Sequence, residues 1–133
     1  MTNLEEYEKE LWWFEMKMNG INHVNITVSD LEKSQKFYSE VFGMEEAYRI
    51  PQFRFLRCGK DLLTLQEGVL INTKGVHFGF DVNSNDEMNN WKNWLKEKNV
   101  SIDDERGDKS SAGIYFHDPD GYTIEIYFVK ESY

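Results

Sequence analysis

The second half of this 133-residue chain repeats the pattern of the first half. A shift of 54 places His23 on His77 and aligns the apolar positions of the segments that follow. After an insertion the shift becomes 61, which places Thr64 on Glu125 between aligned apolar neighbours. Few residues are identical, but chance would rarely reproduce the same order of predicted elements as well. The repeat therefore predicts two modules that share one fold.

Each module reads as a strand, a helix and three further strands. In the first module, apolar and polar residues alternate along Ile21 to Val28, which is typical of a strand with one buried face. Ser29-Asp30 predicts the N-cap of a helix that Gly43 ends. Further strands are predicted at Phe53 to Leu56 and Leu62 to Gln66, with an edge strand around Glu46 to Ile50.

These elements predict an α+β fold. Two βαβββ modules, at about residues 21–70 and 76–130, would form a curved mixed sheet around a cleft. The segment from Ile71 to Gly75 joins them. We expect residues 20–133 to form one domain.

The first nineteen residues have a different period. Their apolar residues recur at helical spacings of three and four: Leu4, Tyr7, Leu11, Phe14 and Met18. Asn19-Gly20 would end such a helix. Residues 1–19 therefore predict an N-terminal amphipathic helix that packs on the domain or on a sister chain.

Charge and composition exclude several classes of partner. The chain carries 15 Lys and Arg against 24 Asp and Glu, a net charge of −9. Such a field repels phosphate backbones and anionic lipid, so we expect neither nucleic acid nor membrane as a partner. The lone Cys58 permits no intrachain disulfide and fits a reducing compartment, and the acidic start does not resemble a secretory signal. We expect a cytoplasmic protein.

Three polar residues occupy related positions in the two modules. His23 and His77 lie opposite apolar stripes on equivalent strands, and Glu125 alternates with two isoleucines on the matching last strand. If the modules pair about a pseudo-two-fold axis, the polar faces converge in one cleft. Two histidines and a carboxylate suit a divalent first-row metal ion and leave coordination positions open for substrate. Each residue alone would more often be a solvated or hydrogen-bonded side chain, but their correspondence in the repeat favours a metal site.

The third histidine, His117, has a different context. It precedes Asp118-Pro119-Asp120-Gly121, which is a turn signal. We expect His117 to face solvent at the end of a strand.

Four stretches resemble the vicinal oxygen chelate superfamily, which includes glyoxalase I, extradiol dioxygenases, fosfomycin-modifying thiol transferases and bleomycin-resistance proteins. They are INHVNITVSDLEKSQKFYSEVFGM at 21–44, Cys58-Gly59, VHFGFDV at 76–82 and IYFHDPDGYTIEIYF at 114–128. The turn DPDG followed by an apolar-flanked glutamate is the most specific of these marks. The likeness covers about residues 20–130.

The resemblance implies that His23, His77 and Glu125 bind Mn²⁺, Fe²⁺, Ni²⁺ or Zn²⁺. It also implies that Glu125 can act as a base. The family's fourth ligand position falls on Thr64, which is not a usual ligand for such an ion, and the nearby Gln66 is a weak substitute. This departure argues against glyoxalase I activity.

The His-His-Glu pattern resembles that of the thiol transferases and the extradiol dioxygenases. Asn22-His23 and the VSDLEKS segment make the first module most similar to the thiol transferases. Tyr115 aligns with an active-site tyrosine of that group, although a core aromatic is equally compatible with the position.

Three further residues are candidate substrate contacts, namely Asn25, Arg54 and Thr64. For Arg54 a solvated strand charge is the favoured alternative. The acidic segment from Asp104 to Ser111 replaces the lysine and serines of the thiol transferases, and like charges repel a phosphonate. Fosfomycin itself is therefore not the expected substrate.

The sequence thus predicts a divalent-metal-dependent enzyme that acts on a small oxygen-bearing molecule by lyase, isomerase or thiol-transfer chemistry. A thiol is a candidate cosubstrate, and Glu125 and Tyr115 are the candidate catalytic residues. The alternatives are a non-catalytic protein that sequesters a drug, and a scaffold that recruits partners through its N-terminal helix. We also expect a homodimer, because edge strands and the N-terminal apolar stripe need cover.

Overall fold

The computed structural model of the chain describes residues 18–108 and 111–129, so nearly all of the predicted N-terminal helix lies outside the described residues. The elements follow in this order: β1 (His23–Val28), α1 (Leu31–Phe42), β2 (Glu45–Ile50), β3 (Phe53–Cys58), β4 (Asp61–Glu67), β5 (His77–Asp81), α2 (Asn85–Glu97), β6 (Asp104–Gly107), β7 (Ser111–His117) and β8 (Thr123–Val129). The α+β class and the two βαβββ modules are confirmed.

The strands form two four-stranded sheets with the same topology. Their orders are β1-β4-β3-β2 and β5-β8-β7-β6, with the first pair of each sheet parallel and the other pairs antiparallel. His23 lies opposite Leu62, and His77 lies opposite Thr123, which are the pairings that shifts of 54 and 61 require. The internal repeat therefore extends to strand register. Both β1 and β5 are edge strands of their sheets.

Local signals set the ends of α1 as the sequence predicts. The Asp30 side chain accepts a hydrogen bond from the backbone N–H of Lys33 at 3.1 Å, which caps the first turn. Gly43 has a φ of 69°, a left-handed conformation that glycine adopts without a steric penalty. The helix ends there, and β2 begins two residues later.

The two modules share one hydrophobic core. The Phe42 ring, at the end of α1, lies 4.7 Å from Phe80 and 6.0 Å from Phe116 between ring centroids, and both of these belong to the second module. Ile26 of β1 and Ile126 of β8 are buried in the same core. The apolar faces of both sheets are therefore buried in one interior.

Polar contacts also join the modules. The Tyr38 hydroxyl of α1 donates to the Asp118 carboxylate at 2.7 Å, and the backbone N–H of Ser29 donates to Asp120 at 3.0 Å. The Tyr122 hydroxyl donates to the carbonyl of Thr27. Burial raises the pKa of Asp118, so its hydrogen bonds are needed to hold a charge there. No helix within the described ranges has the length and apolarity to cross a membrane.

Candidate active site

The polar face of the second sheet carries the candidate active site. Along β8, residues on one face are buried and residues on the other are partly exposed, and Glu125 belongs to the exposed face. Strand pairing places Gly79 of β5 on one side of Glu125 and Tyr115 of β7 on the other. Directly paired residues in neighbouring strands share a face, so these three positions form one row across the sheet.

His77 and Glu125 are in direct contact. The His77 Nε2 lies 3.2 Å from Glu125 Oε2. The His77 side chain is 51% exposed and that of Glu125 is 16% exposed, so the carboxylate is partly desolvated beside an accessible imidazole. Such a pair presents a nitrogen and an oxygen donor at one point of the surface.

Tyr115 completes a cluster around this carboxylate. Its ring centroid lies 5.7 Å from that of His77, and its hydroxyl hydrogen-bonds to Glu125. That hydrogen bond, followed by desolvation, raises the pKa of Tyr115 above its usual range. Tyr115 therefore keeps its proton at neutral pH and is available as a donor.

Two glycines leave space around Glu125. A Cβ at Gly79 would lie 3.0 Å from the Glu125 backbone oxygen, which is closer than side chains normally pack. A Cβ at Gly113 would lie 3.8 Å from Glu125 Oε1. Because neither position carries a side chain, the carboxylate opens into a cavity of about 870 Å³ that also contains Tyr127.

Arg106 places a positive charge in this cavity. Its guanidinium lies 5.1 Å from the Tyr115 ring centroid, and its Nε is 2.8 Å from the Asp104 carboxylate. Sequence reasoning treated this segment only as an acidic loop and missed Arg106. The alternation of Asp104 and Arg106 would have placed both on one strand face, had β6 been assigned as a strand.

His23 does not join this cluster within a single chain. It lies on edge strand β1 of the first sheet, where its Nδ1 is 2.6 Å from the side-chain oxygen of Asn22. Within residues 18–108 and 111–129, no three His, Cys, Asp or Glu side chains converge so as to hold a metal ion. His23 and His77 nevertheless line a common cavity of about 780 Å³ between the free edges of β1 and β5.

Asn25 and Thr64 share the His23 face of the first sheet. They are direct partners in the pairing of β1 with β4, and Thr64 is 5% exposed. The Asn25 side chain donates to the oxygen of Gln66 at 3.1 Å. The fourth ligand position of the family is therefore occupied here by the buried hydroxyl of Thr64, which lies beside the amide side chains of Asn25 and Gln66.

Arg54 lies on the other face of this sheet. It pairs with the fully buried Leu65, so its side chain points to the core side and not to the side of His23. There it donates to the carbonyl of Phe53 at 2.9 Å and lies 3.7 Å from Glu46. This position does not support Arg54 as a substrate contact.

His117 has partners at the end of β7. Its Nδ1 contacts the Asp103 carboxylate, and its Nε2 lies 3.3 Å from the Thr123 hydroxyl. The imidazole is nearly half exposed, as expected at a strand end. Its context is thus a solvated surface cluster, separate from the His77–Glu125 pair.

Comparison with known proteins identifies the family. The family model of the Glyoxalase/Bleomycin resistance protein/Dioxygenase superfamily matches residues 20–126. The metallothiol transferase FosB of Staphylococcus haemolyticus is 31% identical over 117 residues, covering 83% of this chain and 84% of that protein. A trivalent organoarsenical cleaving enzyme of Bacillus sp. (strain MD1) is 36% identical over 119 residues, covering 83% and 73% respectively.

Solved structures agree with this assignment. The fosfomycin resistance protein FosX of Listeria monocytogenes matches with a TM-score of 0.73 at 25% identity, covering 84% of this chain and 93% of that one. A mutant of the same protein, solved with Mn(II) and 1S,2S-dihydroxypropylphosphonic acid, matches with a TM-score of 0.71 at 24% identity, covering 87% and 93%.

Two βαβββ modules with a histidine–glutamate pair on a polar sheet face define a vicinal-oxygen-chelate type of protein. This chain belongs to the Glyoxalase/Bleomycin resistance protein/Dioxygenase superfamily. The resemblance inferred from the motifs is confirmed, and the similar curated proteins are enzymes, a metallothiol transferase and an organoarsenical cleaving enzyme.

Proposed function

We propose that this chain is a divalent-metal-dependent enzyme of the thiol-transfer type that acts on a small oxygen-bearing electrophile. The observation that carries the proposal is the contact of His77 with Glu125, at 3.2 Å, beside Tyr115 in an open cavity. The likeness to a metallothiol transferase over most of both chains supports the thiol-transfer chemistry.

The donor set of the cluster fits a first-row divalent ion. An imidazole nitrogen of His77 and a carboxylate oxygen of Glu125 are ligand types that Mn²⁺, Fe²⁺, Ni²⁺ and Zn²⁺ accept. We propose His23 as the third ligand. When bound, such an ion supplies Lewis acidity that stabilises negative charge on a substrate oxygen.

The remaining polar groups of the cavity have separate roles. Tyr115 keeps its proton, so its hydroxyl can donate a hydrogen bond to an oxygen that gains charge. The Arg106 guanidinium orients an anionic part of the substrate and offsets the charge of Asp104. Gly79 and Gly113 keep the approach to Glu125 open.

A second copy of the chain is proposed to bring His23 to the cluster. In one chain the apolar faces of both sheets are buried in a shared core, so their polar faces point away from that core. Edge strands β1 and β5 carry His23 and His77, and no strand of the described residues pairs with the outer side of either one. Pairing the first module of one chain with the second module of its partner joins two polar faces and covers both edges.

The cytoplasmic location expected from the sequence stays a prediction.

Calorimetry with Mn²⁺ tests the ligand set. His23→Ala, His77→Ala and Glu125→Ala should each abolish tight binding, because two remaining ligands make a poor site. His117→Ala is the matched control, since this histidine lies in a separate cluster, and it should bind Mn²⁺ like the parent chain. Full affinity in the three ligand variants would refute the site.

Co-expression of two inactive variants tests the exchange of modules. A mixed dimer of His23→Ala and Glu125→Ala should regain one intact site. That site combines the first module of the Glu125→Ala chain with the second module of the His23→Ala chain, and neither of these modules carries a substitution. A mixed dimer of His77→Ala and Glu125→Ala should regain none, since both changes lie in the second module and each site loses one ligand. If the first mixture binds no Mn²⁺, or if ultracentrifugation shows only monomers at micromolar concentration, the exchange is wrong.

A substrate assay tests the chemistry. The Mn²⁺-loaded protein should consume a thiol together with a small epoxide or an α,β-unsaturated carbonyl compound, and Glu125→Gln should not. The likeness to the organoarsenical cleaving enzyme makes a trivalent organoarsenical the second substrate to assay. Binding without turnover of either class would favour a sequestering protein instead.

A further inference from the structure

An apolar groove lies between the end of α1 and the middle of α2. Its volume is about 430 Å³, and its lining residues are Val41, Phe42, Gly43, Asn90, Trp91 and Trp94. Trp94 is 39% exposed, although its indole N–H is satisfied by the carbonyl of Val41 at 2.8 Å. The exposed part of Trp94 in the groove is therefore apolar indole surface, because the polar N–H of the ring already has a hydrogen-bond partner.

We propose that residues 1–17 of the same chain dock in this groove through their apolar stripe. Leu4, Tyr7, Leu11 and Phe14 recur at helical spacing, so a helix would present them along one line. Gly43 makes room for such a helix, because no heavy atom lies within 4 Å of the place where its Cβ would be. Association of the two apolar surfaces would remove both from water.

The position of β1 gives the segment sufficient reach. Strand pairing puts His23, Leu62, Arg57 and Glu45 in one row across the first sheet. Three strand spacings make this row about 14 Å long, and Glu45 follows Gly43 by two residues. A 17-residue helix is about 25 Å long, and the five residues 18–22 can extend by about 17 Å. A segment that ends next to Met18 can therefore cover the groove of its own chain.

Charge complementarity favours this occupant. Residues 1–17 contain five Glu and two Lys, a net charge of −3. Just after α2, the Lys98 ammonium lies 4.8 Å above the Trp94 ring, which places a positive charge at one end of the groove. An acidic segment would be attracted to this end of the groove by Lys98.

Disulfide trapping in the full chain tests the docking. In a Cys58→Ala background, Leu11→Cys with Asn90→Cys should form an intramolecular disulfide on mild oxidation. Lys9→Cys with Asn90→Cys is the matched control, because at 100° per residue Lys9 lies opposite the stripe. We expect the Leu11 pair to close severalfold faster. Equal rates in the two pairs, or no closure in either, would overturn the proposal, and disulfide-linked dimers would overturn its assignment to the same chain.

A second test needs no cysteines. Asn90→Glu places a negative charge in the groove, and it should expose the acidic segment so that trypsin cleaves after Lys9 severalfold faster. Asn89→Glu is the control, because it makes the same charge change on an exposed position of α2 outside the groove. Identical cleavage rates in the two variants would contradict the docking.

Discussion

At the scale of single residues, Thr64 decides how many protein ligands the proposed metal site can have. It pairs with Asn25 on the face of the first sheet that carries His23, and it is nearly inaccessible to solvent. Its hydroxyl is a weak ligand, whereas a carboxylate at this position would be a strong one.

Thr64→Glu should therefore tighten Mn²⁺ binding and lower the stability of the metal-free protein, since an unpaired carboxylate would be buried there. Calorimetry and urea unfolding with and without Mn²⁺ measure the two effects. Thr64→Val is the isosteric control and should leave the affinity unchanged. A weaker affinity in Thr64→Val would show that the hydroxyl is itself a ligand.

A second residue-scale prediction concerns the buried pair of Tyr38 and Asp118. Tyr38→Phe removes the hydroxyl that donates to the Asp118 carboxylate at 2.7 Å. Leaving a buried acceptor without its donor should lower the free energy of unfolding by about 1–3 kcal/mol. Tyr48→Phe, at an exposed tyrosine, should change it little.

The pH dependence of this effect has a definite sign. Burial already raises the pKa of Asp118, and Tyr38 opposes that rise. In Tyr38→Phe the pKa of Asp118 rises further, so the variant's extra stability loss should appear as pH increases through that pKa. Below it the carboxyl group is protonated and the two proteins should converge. A constant difference from pH 3 to pH 8 would contradict this account.

At the scale of elements, the caps and turns follow the sequence closely. Asp30 and Gly43 bound α1, and β3 and β4 contain the strands predicted at Phe53 to Leu56 and at Leu62 to Gln66. Alternation along β3 does not distinguish its two faces, because both carry large apolar residues. Phe53 and Phe55 lie on one face and the fully buried Leu56 lies on the other, and Arg54 shares the face of Leu56.

Gly43→Ala tests the helix end. A Cβ at a φ of 69° is strained, so the free energy of unfolding should fall by about 1–2 kcal/mol. Gly75→Ala is the control, because Gly75 does not have a positive φ. Chemical denaturation of both variants measures the difference, and equal stabilities would refute the role assigned to Gly43.

At the scale of the whole molecule, the shared core couples the two modules. Phe42 belongs to the first module but packs against Phe80, Trp91 and Phe116 of the second. A module that loses this partner would expose its own apolar surface to water. The two halves should therefore unfold together.

Phe42→Ala should cost about 3 kcal/mol and should destabilise both modules equally. Hydrogen exchange of β4 and of β8 reports on the modules separately. Tyr48→Ala, at an exposed aromatic of β2, is the control for loss of a ring. Faster exchange confined to β4 would show that the modules are independent.

The repeat and the order of elements could be predicted from the sequence alone. Two shifts along the chain placed Thr64 and Glu125 at equivalent positions, and in the structure they pair with the equivalent residues Asn25 and Gly79. It also pointed to His77 and Glu125, which the structure brings into contact. These features depend on local periodicity and on equivalent strand pairs, both of which can be read from the order of residues.

Which sheet faces meet depends on contacts that form in the folded molecule. The packing of α1 against the second module buries the apolar faces of both sheets in one core, so His23 remains apart from His77 and Glu125 within one chain. The pairing of β6 with β7 places Arg106 at the site, and the pairing of β3 with β4 places Arg54 on the opposite, core-facing side of its sheet. The physical reason is that periodicity fixes what lies on each face of a strand, whereas contacts between residues far apart in sequence fix which faces are brought together.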